Sequence, residues 1–391
     1  MYKFSFFIAA ATFLGTGVFA QSKHTSVDLT HLNYTLEEAP DWTNLFIRNS
    51  GWFGADGIYA LPSDGARSKG GSAGVKNMII FSDTMIGDVV GGKIQPGDKM
   101  THNTVAYMEG DKPDPAKIKF HWALNADGKP ESLFIPSTVS SDKKDYYWLG
   151  DGFVNTATNK TYIFGYRMHN ADPKNDWSFQ QMGVNLIILP KGSKPPFSDQ
   201  QQVETPLHYT KEEGNGSYGA GIFVNTKKAG APAPDGYVYI YGVRGASNLV
   251  VARVLPKDFE NFKAWRFWDG TAWNADKNKA AALTSGVSDE LSFSPLPDGR
   301  YLLVSQLGNM SHDVIMHVAA SPVGPFGPVI KLYDAKVARD KYITYNAKAH
   351  PSLSAPGELL ITYNQNAFDF WNEIAMNPHL YHPYFLRLKF K

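Results

Sequence analysis

The sequence predicts an all-β fold, a five-bladed β-propeller, on three observations. Five short apolar segments recur along the 391 residues: NMIIFSD from Asn77, TYIFGY from Thr161, YVYIYG from Tyr237, YLLVSQ from Tyr301 and ELLITY from Glu358. Four of them are entered through the turn sequences ATNK, APDG, LPDG and APGE, which carry the Asn, Asp, Pro and Gly chemistry of hairpins. Ahead of each turn lies a second candidate strand: WFGADGIYAL, WLGDGFVNTA, YGAGIFVNTK, DELSFSPL and AHPSLSA. Helical periodicity is poor, with short weakly amphipathic stretches at 275–283 and 334–340 as the best candidates. Radial repetition of hairpin-centred units limits the number of exposed sheet edges. The alternative, a two-sheet sandwich, explains five similar units less well.

Taken in order, the first unit departs from the others. Its turn is replaced by a longer insertion, SDGARSKGGSAGVKN from Ser63. Successive units are spaced by about 60 to 80 residues, beyond the ~40 to 50 of common propeller repeats, which leaves room for long loops on one face. At the C-terminus, YHPYFLRLKF alternates like a strand that completes the first or last blade, with a segment near Leu45–Ile47 expected beside it. The propeller is expected to span 42–391, preceded by an extension at 21–41.

Residues 1–20 differ in kind: Lys3, an apolar run from Phe4 to Val18, then Val18 and Ala20 as small or apolar residues before a break, the pattern of a cleaved signal peptide. Secretion or a periplasmic location is expected, and no other stretch is apolar enough for a membrane span. With no cysteine there is no disulfide framework, thiolate metal site or thiol nucleophile. A hydrophobic content of 43% supports a large core, and 38 Lys and Arg balance 37 Asp and Glu without a basic run, which speaks against nucleic acid as a partner.

The repeat also sorts the acids. First strands of propeller blades line the channel, so matching places in the five leading strands should face one cavity. Those places hold Asp56, Asp151, the pair Gly219 and Ala220, Glu290 and His350. Asp83 ends the strand after Asp56. Each has an ordinary reading as well: Asp56 and Asp151 as turn residues between glycines, Asp83 as a cap with Thr84, one of Asp289 and Glu290 as solvated, and His350 as a hydrogen-bonded structural residue. Their shared register argues for a site. Several carboxylates around one cavity suit glycoside hydrolysis, where one acid donates a proton to the leaving oxygen and another activates water or attacks the anomeric carbon. Flat faces for a sugar are offered by Trp52, Phe53, Trp148, Tyr218, Trp268 and Trp371. Polar partners near strand ends are His102, Asn103, Asn155, Arg244, Asn364 and Asn366, with His350. No Gly-x-Ser-x-Gly elbow, P-loop, dinucleotide fingerprint or HExxH pair occurs. An oxygen-ligated divalent cation such as calcium, with His350 and water, is a further candidate at the channel centre.

The order of GADG, a strand ending in Asp83 and Thr84, SYGAGIFVN, YVYIYG, LVVARV, AWRFWDGTAW, DELSFSPLPDGRYLLV, SPVGPFGP, AHPSLS and ITYNQN resembles bacterial five-bladed propeller proteins of formerly unknown function, some of whose relatives are endo-D-arabinanases. That resemblance, from about Trp42 onward, implies a catalytic pair at Asp56 and Asp83. Similarity to more distant five-bladed glycosidases implies instead base, modulator and acid at Asp56, Asp151 and Glu290. Ser82, where the family has glycine, and the insertion from Arg67 to Lys76 depart from the first pattern. The resulting expectation is a glycoside hydrolase, inverting, with Asp56 as base, Glu290 or Asp83 as acid and Asp151 as modulator. The alternative is a carbohydrate-binding propeller without catalysis, which would pair its acids with Arg or Lys.

Overall fold

The computed structural model describes residues 27–391 apart from 173 and 176; the predicted signal peptide lies outside the described residues. The fold is all-β, and every strand pairing is antiparallel. Five sheets follow one another along the chain. Sheet 1 has the order Tyr59–Pro62, Lys76–Phe81, Thr104–Glu109, Ile118–His121; sheet 2 has Tyr146–Asn155, Lys160–Asn170, Phe179–Leu189, Gln201–Glu204. Sheet 3 is built on Gly216–Val224, Val238–Arg244, Asn248–Val254 and Arg266–Trp268. Sheet 4 has Leu291–Pro295, Tyr301–Gln306, Asp313–Ala319, Ile330–Asp334. Sheet 5 joins Tyr342–Ala349, Glu358–Ala367 and Pro383–Phe390 to Tyr34–Glu38 from the other end of the chain. Two further sheets complete the described residues: one led by Ser50–Ala55 and Thr84–Val90 beside sheet 1, and a two-stranded one pairing Ala123–Leu124 with Pro130–Glu131.

The hairpin signals in the sequence correspond to the middle strands. At the LPDG turn Gly299 takes φ +89°, a conformation that a side chain would oppose, and Leu296 and Arg300 close the turn through a backbone hydrogen bond. Alternation explains the apolar runs, because each sheet buries both faces. In sheet 3, Val238 and Ile240 face sheet 2 with Phe153 and Phe164, whereas Tyr239 and Tyr241 face sheet 4 with Phe293 and Leu303. The same division places Leu61 and Ile80 against Leu149 of sheet 2, and Ile79 and Phe81 against Leu360 and Phe385 of sheet 5. Sheets 4 and 5 share Val304, Met316, Ile361 and Leu386. Trimming any of these fully buried side chains to Ala costs about 2–5 kcal/mol.

The leading strands touch in succession, sheet 1 to 2, 2 to 3, 3 to 4 and 4 to 5, and the turn Pro351–Leu353 after the fifth returns to the first. Three expectations are corrected. The strand beside the C-terminal one is Tyr34–Glu38, since 45–47 closes a short helical turn held in the core by Leu45 and Phe46. Of the stretches at 275–283 and 334–340, the first holds one short helical turn, Lys277–Lys279, and the second begins in the strand Ile330–Asp334; the longer helix is Phe370–Met376. Finally, the fifth leading strand is Tyr342–Ala349, ending before His350.

Candidate active site

Asp56 follows the strand Ser50–Ala55, and Asp83 follows Lys76–Phe81. Two backbone bonds clasp them: Asp56 N donates to Asp83 O at 3.2 Å and Ser82 N donates to Asp56 O at 3.0 Å. Close approach requires Gly57, which has φ +64° and whose Cβ would lie 2.7 Å from Ser82 Oγ. Ser82 in turn accepts a hydrogen bond from Leu149 N at 2.9 Å, tying the clasp to sheet 2. The serine at this position therefore has a structural task.

Around the pair stand groups from distant parts of the chain. Tyr345 donates to Asp56 Oδ2 at 2.7 Å, and Tyr381 donates to the backbone oxygen of Asp83 at 3.2 Å. Burial pushes the Asp56 carboxyl up to about 8, the neighbouring Asp83 adds to the rise, and the Tyr345 hydroxyl opposes it. Asp83 Oδ1 lies 2.8 Å from His102 Nδ1, and the imidazole stacks on Tyr146 with centroids 3.9 Å apart. When Nδ1 carries the proton, it donates to the carboxylate and leaves Nε2 without a protein partner among the described residues.

The other two acids are neutralised. Glu290 forms an ion pair with Lys348, a fully buried lysine whose Nζ also lies 4.5 Å from the Tyr59 ring centroid. Burial raises the Glu290 carboxyl above the usual range and Lys348 opposes this. Asp151 accepts from Arg67 at 2.8 Å, from Ile222 N at 2.7 Å and from its neighbour Gly152 N at 2.7 Å. Burial again raises it, with Arg67 acting in the opposite direction. Arg67 belongs to the insertion and also donates to Gly152 O. Glu290 stays near enough to Asp56 to contribute to its raised proton affinity.

Most of the remaining expected contacts lie in the core or on backbone groups. Trp52, Phe53 and Tyr218 are core residues, Trp52 stacked on Phe120 and Tyr218 bonded to Tyr209. Asn103 spans Phe134 N and O, Asn155 holds Pro256 O and Ala157 N, and Asn364 reaches Ala55 O; all three are buried and serve backbone groups. His350 is buried with Nε2 on Thr362, its proton affinity depressed by burial and by the cations Lys348 and Arg67. Arg244 is fixed by the carbonyls of Glu213 and Asn278. Trp268 packs on Trp273, and Trp371 lies exposed on the helix Phe370–Met376 beside Phe370. Trp148 and Asn366 are only partly buried, and Asn366 bonds Tyr345. Tyr345, Tyr381, Lys348 and Arg67 went unread in the sequence. The first and third lie on the fifth leading strand, whose register, taken from AHPSLSA, ran several residues late.

The residues expected around a divalent cation are engaged elsewhere. Glu290 and Asp151 already face an ammonium and a guanidinium, His350 directs Nε2 to Thr362, and no group of three or more His, Asp or Glu suited to a metal occurs among the described residues.

Residues 40–390 match the family model described as "Domain of unknown function (DUF5005)". The chain belongs to the DUF5005 family. Among solved structures, this DUF5005 chain is similar to a Bacteroides ovatus ATCC 8483 protein provisionally termed a hydrolase, with TM-score 0.69 and 19% identity over 91% of this chain and 93% of that one. That likeness is one of fold. The α-L-arabinofuranosidase of Podospora anserina gives TM-score 0.44 and 10% identity, covering 87% of this chain and 97% of that one. The GH62 α-L-arabinofuranosidase catalytic domain of Coprinopsis cinerea gives 0.46 and 9%, covering 92% and 97%. No curated protein matches the chain.

Proposed function

We propose that the protein is an exported, secreted or periplasmic, glycoside hydrolase acting on a poly- or oligosaccharide, with its five sheets arranged as the blades of a propeller and Asp56 and Asp83 as the catalytic pair. The observation that carries this reading is the clasped pair itself: one carboxyl bonded by Tyr345 and pushed up to about 8, the other beside a histidine, with both residues partly open to solvent. Two neighbouring carboxyls with unlike environments divide into a proton donor and a proton acceptor. Asp56 holds its proton at neutral pH and delivers it to the leaving oxygen, reversing the base role expected from the sequence. Asp83, backed by His102, draws a proton from water as that water attacks the anomeric carbon. The stereochemical course proposed is inversion, and an arabinan-like furanoside is the first substrate to try.

Glu290 adds to the proton affinity of Asp56 and Asp151 orders the neighbouring strands, and neither transfers a proton, since each is already paired with a cation. The same pairing favours one other reading, a carbohydrate-binding propeller without turnover. A panel of glycans incubated with the wild type, Asp56→Asn and Asp83→Asn, read by mass spectrometry of released sugars, separates the two. Release by the wild type that falls by about 10²-fold or more in both variants supports hydrolysis. Binding without release, unchanged in both variants, replaces it with the binding reading. Proton NMR of the first-formed anomer decides between inversion and retention.

A further inference from the structure

A line of aromatic rings leads away from Asp83 along one end of sheet 2. His102 stacks on Tyr146 at 3.9 Å, Tyr146 meets Trp148 at 6.0 Å, Trp148 meets Phe179 at 4.8 Å, and Phe179 meets Trp177 at 6.3 Å between centroids. Exposure rises along the line, from a buried Tyr146 through a half-buried Trp148 to Phe179 at 37% and Trp177 at 44%. Met182, at 47%, is exposed nearby on the same strand as Phe179. The segment HNADPKND, a plain loop to the sequence reading, leads directly into Trp177 and Phe179.

We propose that this line is a platform for additional sugar rings of a glycan chain, so that the substrate is an oligomer or polymer rather than a small glycoside. The inference rests on the hydrolase reading for its connection to Asp83, and it assigns the surface that holds the further rings of that substrate. Three features point to carbohydrate. The strip is continuous with the catalytic pair through the Asp83–His102 contact. It is bordered by amides: Asn170 accepts from the Tyr146 hydroxyl at 2.8 Å and leaves its own nitrogen without a partner among the described residues, and exposed Gln180 follows Phe179. A sugar ring presents an apolar face and a rim of hydroxyls, which a flat ring bordered by amides matches. Contiguous exposed apolar side chains of this kind mark contact sites more often than chance.

The test uses Trp177→Ala and Phe179→Ala, both at exposed positions, with two readouts. Soluble arabinan, arabinogalactan, xylan and mannan are first cast in native gels to measure retardation of the protein. KM and kcat are then measured on whichever polysaccharide is cleaved and on its shortest cleaved oligomer. The platform predicts gel retardation by one of the four polymers that weakens about tenfold in either variant, equivalent to roughly 1.4 kcal/mol. It also predicts a rise in KM that is larger on the polymer than on the oligomer, with kcat within about twofold. Equal KM changes on polymer and oligomer, or retardation that the substitutions do not alter, overturn it while leaving hydrolysis intact. Retardation lost in the variants without any sugar release by the wild type supports the platform and removes the hydrolase reading. No retardation of the wild type by any of the four polymers overturns the platform.

Discussion

At the scale of the residue, Asp56 determines both a pH profile and a stability profile. Its carboxyl rises from an ordinary 3.8 to about 8 in the folded protein, mainly through burial and then through Asp83. The folded state therefore binds more protons than the unfolded state between these two values, and stability falls as pH rises across that window. Below about 4 both states are protonated and the residue contributes no difference. Asp56→Asn removes the titration while keeping an acceptor for the Tyr345 hydroxyl. The variant should match the wild type in melting temperature near pH 4 and exceed it by about 2–5 °C at pH 8, measured by calorimetry in matched buffers. An equal difference at both pH values would show that Asp56 is not held protonated. On the proposed mechanism, which draws on that proton, turnover should decline as pH rises through about 8. A carboxyl that destabilises its own fold at neutral pH is what the proposed catalytic role of Asp56 requires.

At the scale of the element, the insertion and the irregular leading strands account for what the sequence concealed. The pairing register slips in the leading strands of sheets 2, 3 and 5, between Leu149 and Gly152, Tyr218 and Gly221, and Tyr345 and Lys348. Such bulges re-aim side chains beside active sites. Asp151 and the pair Gly219 and Ala220 sit in the first two, so their shared register was legible from the repeat. In sheet 5 the equivalent place is Asn346 and Ala347, with Asn346 at φ +61°, and the sequence gives no acid there to mark it. The strands and hairpins were readable because turn chemistry and alternation are local. The partners Tyr345, Lys348 and Arg67 were not, since each meets its acid across more than fifty residues of chain or across sheets. Arg67 shows this best, because its loop looks like a flexible glycine-rich insertion yet carries a guanidinium to a buried carboxylate on sheet 2. Its loop is also anchored by Ser68 N to Ala229 O at 3.1 Å and Gly71 N to Ser354 O at 2.7 Å. Arg67→Met should cost about 3 kcal/mol by leaving Asp151 buried without its cation, read by urea denaturation. Adding Asp151→Asn should restore most of that loss, and a double variant no better than the single one would show that the loop's packing, rather than its charge, is what matters.

At the scale of the whole molecule, the round of sheets is closed by its two ends. Tyr34–Glu38 pairs with Pro383–Phe390 in the register Tyr34 to Phe390 and Glu38 to Leu386. Without it the C-terminal strand would expose a row of unpaired backbone groups, and Tyr34 and Leu36 would no longer cover the core between sheets 4 and 5. Of the charged contacts along this seam, Lys389 with Glu37 at 2.7 Å is open to solvent and contributes little, while Arg387, itself mostly covered, meets the exposed Asp41 at 2.6 Å. Closure thus rests on the strand ladder and its apolar side chains. Because each sheet buries both faces against its neighbours, loosening sheet 5 strips partners from sheets 4 and 1 together, and the loss should spread beyond the seam. A chain beginning at Ala39 should melt about 5–10 °C below one beginning at Val27, whereas Glu37→Ala with Lys389→Ala should shift the midpoint by about 1 °C or less. Calorimetry of the three proteins gives the comparison, and a truncated chain as stable as the longer one would mean that the core contacts between sheets 5 and 1, built on Ile79, Phe81, Leu360 and Phe385, close the round unaided.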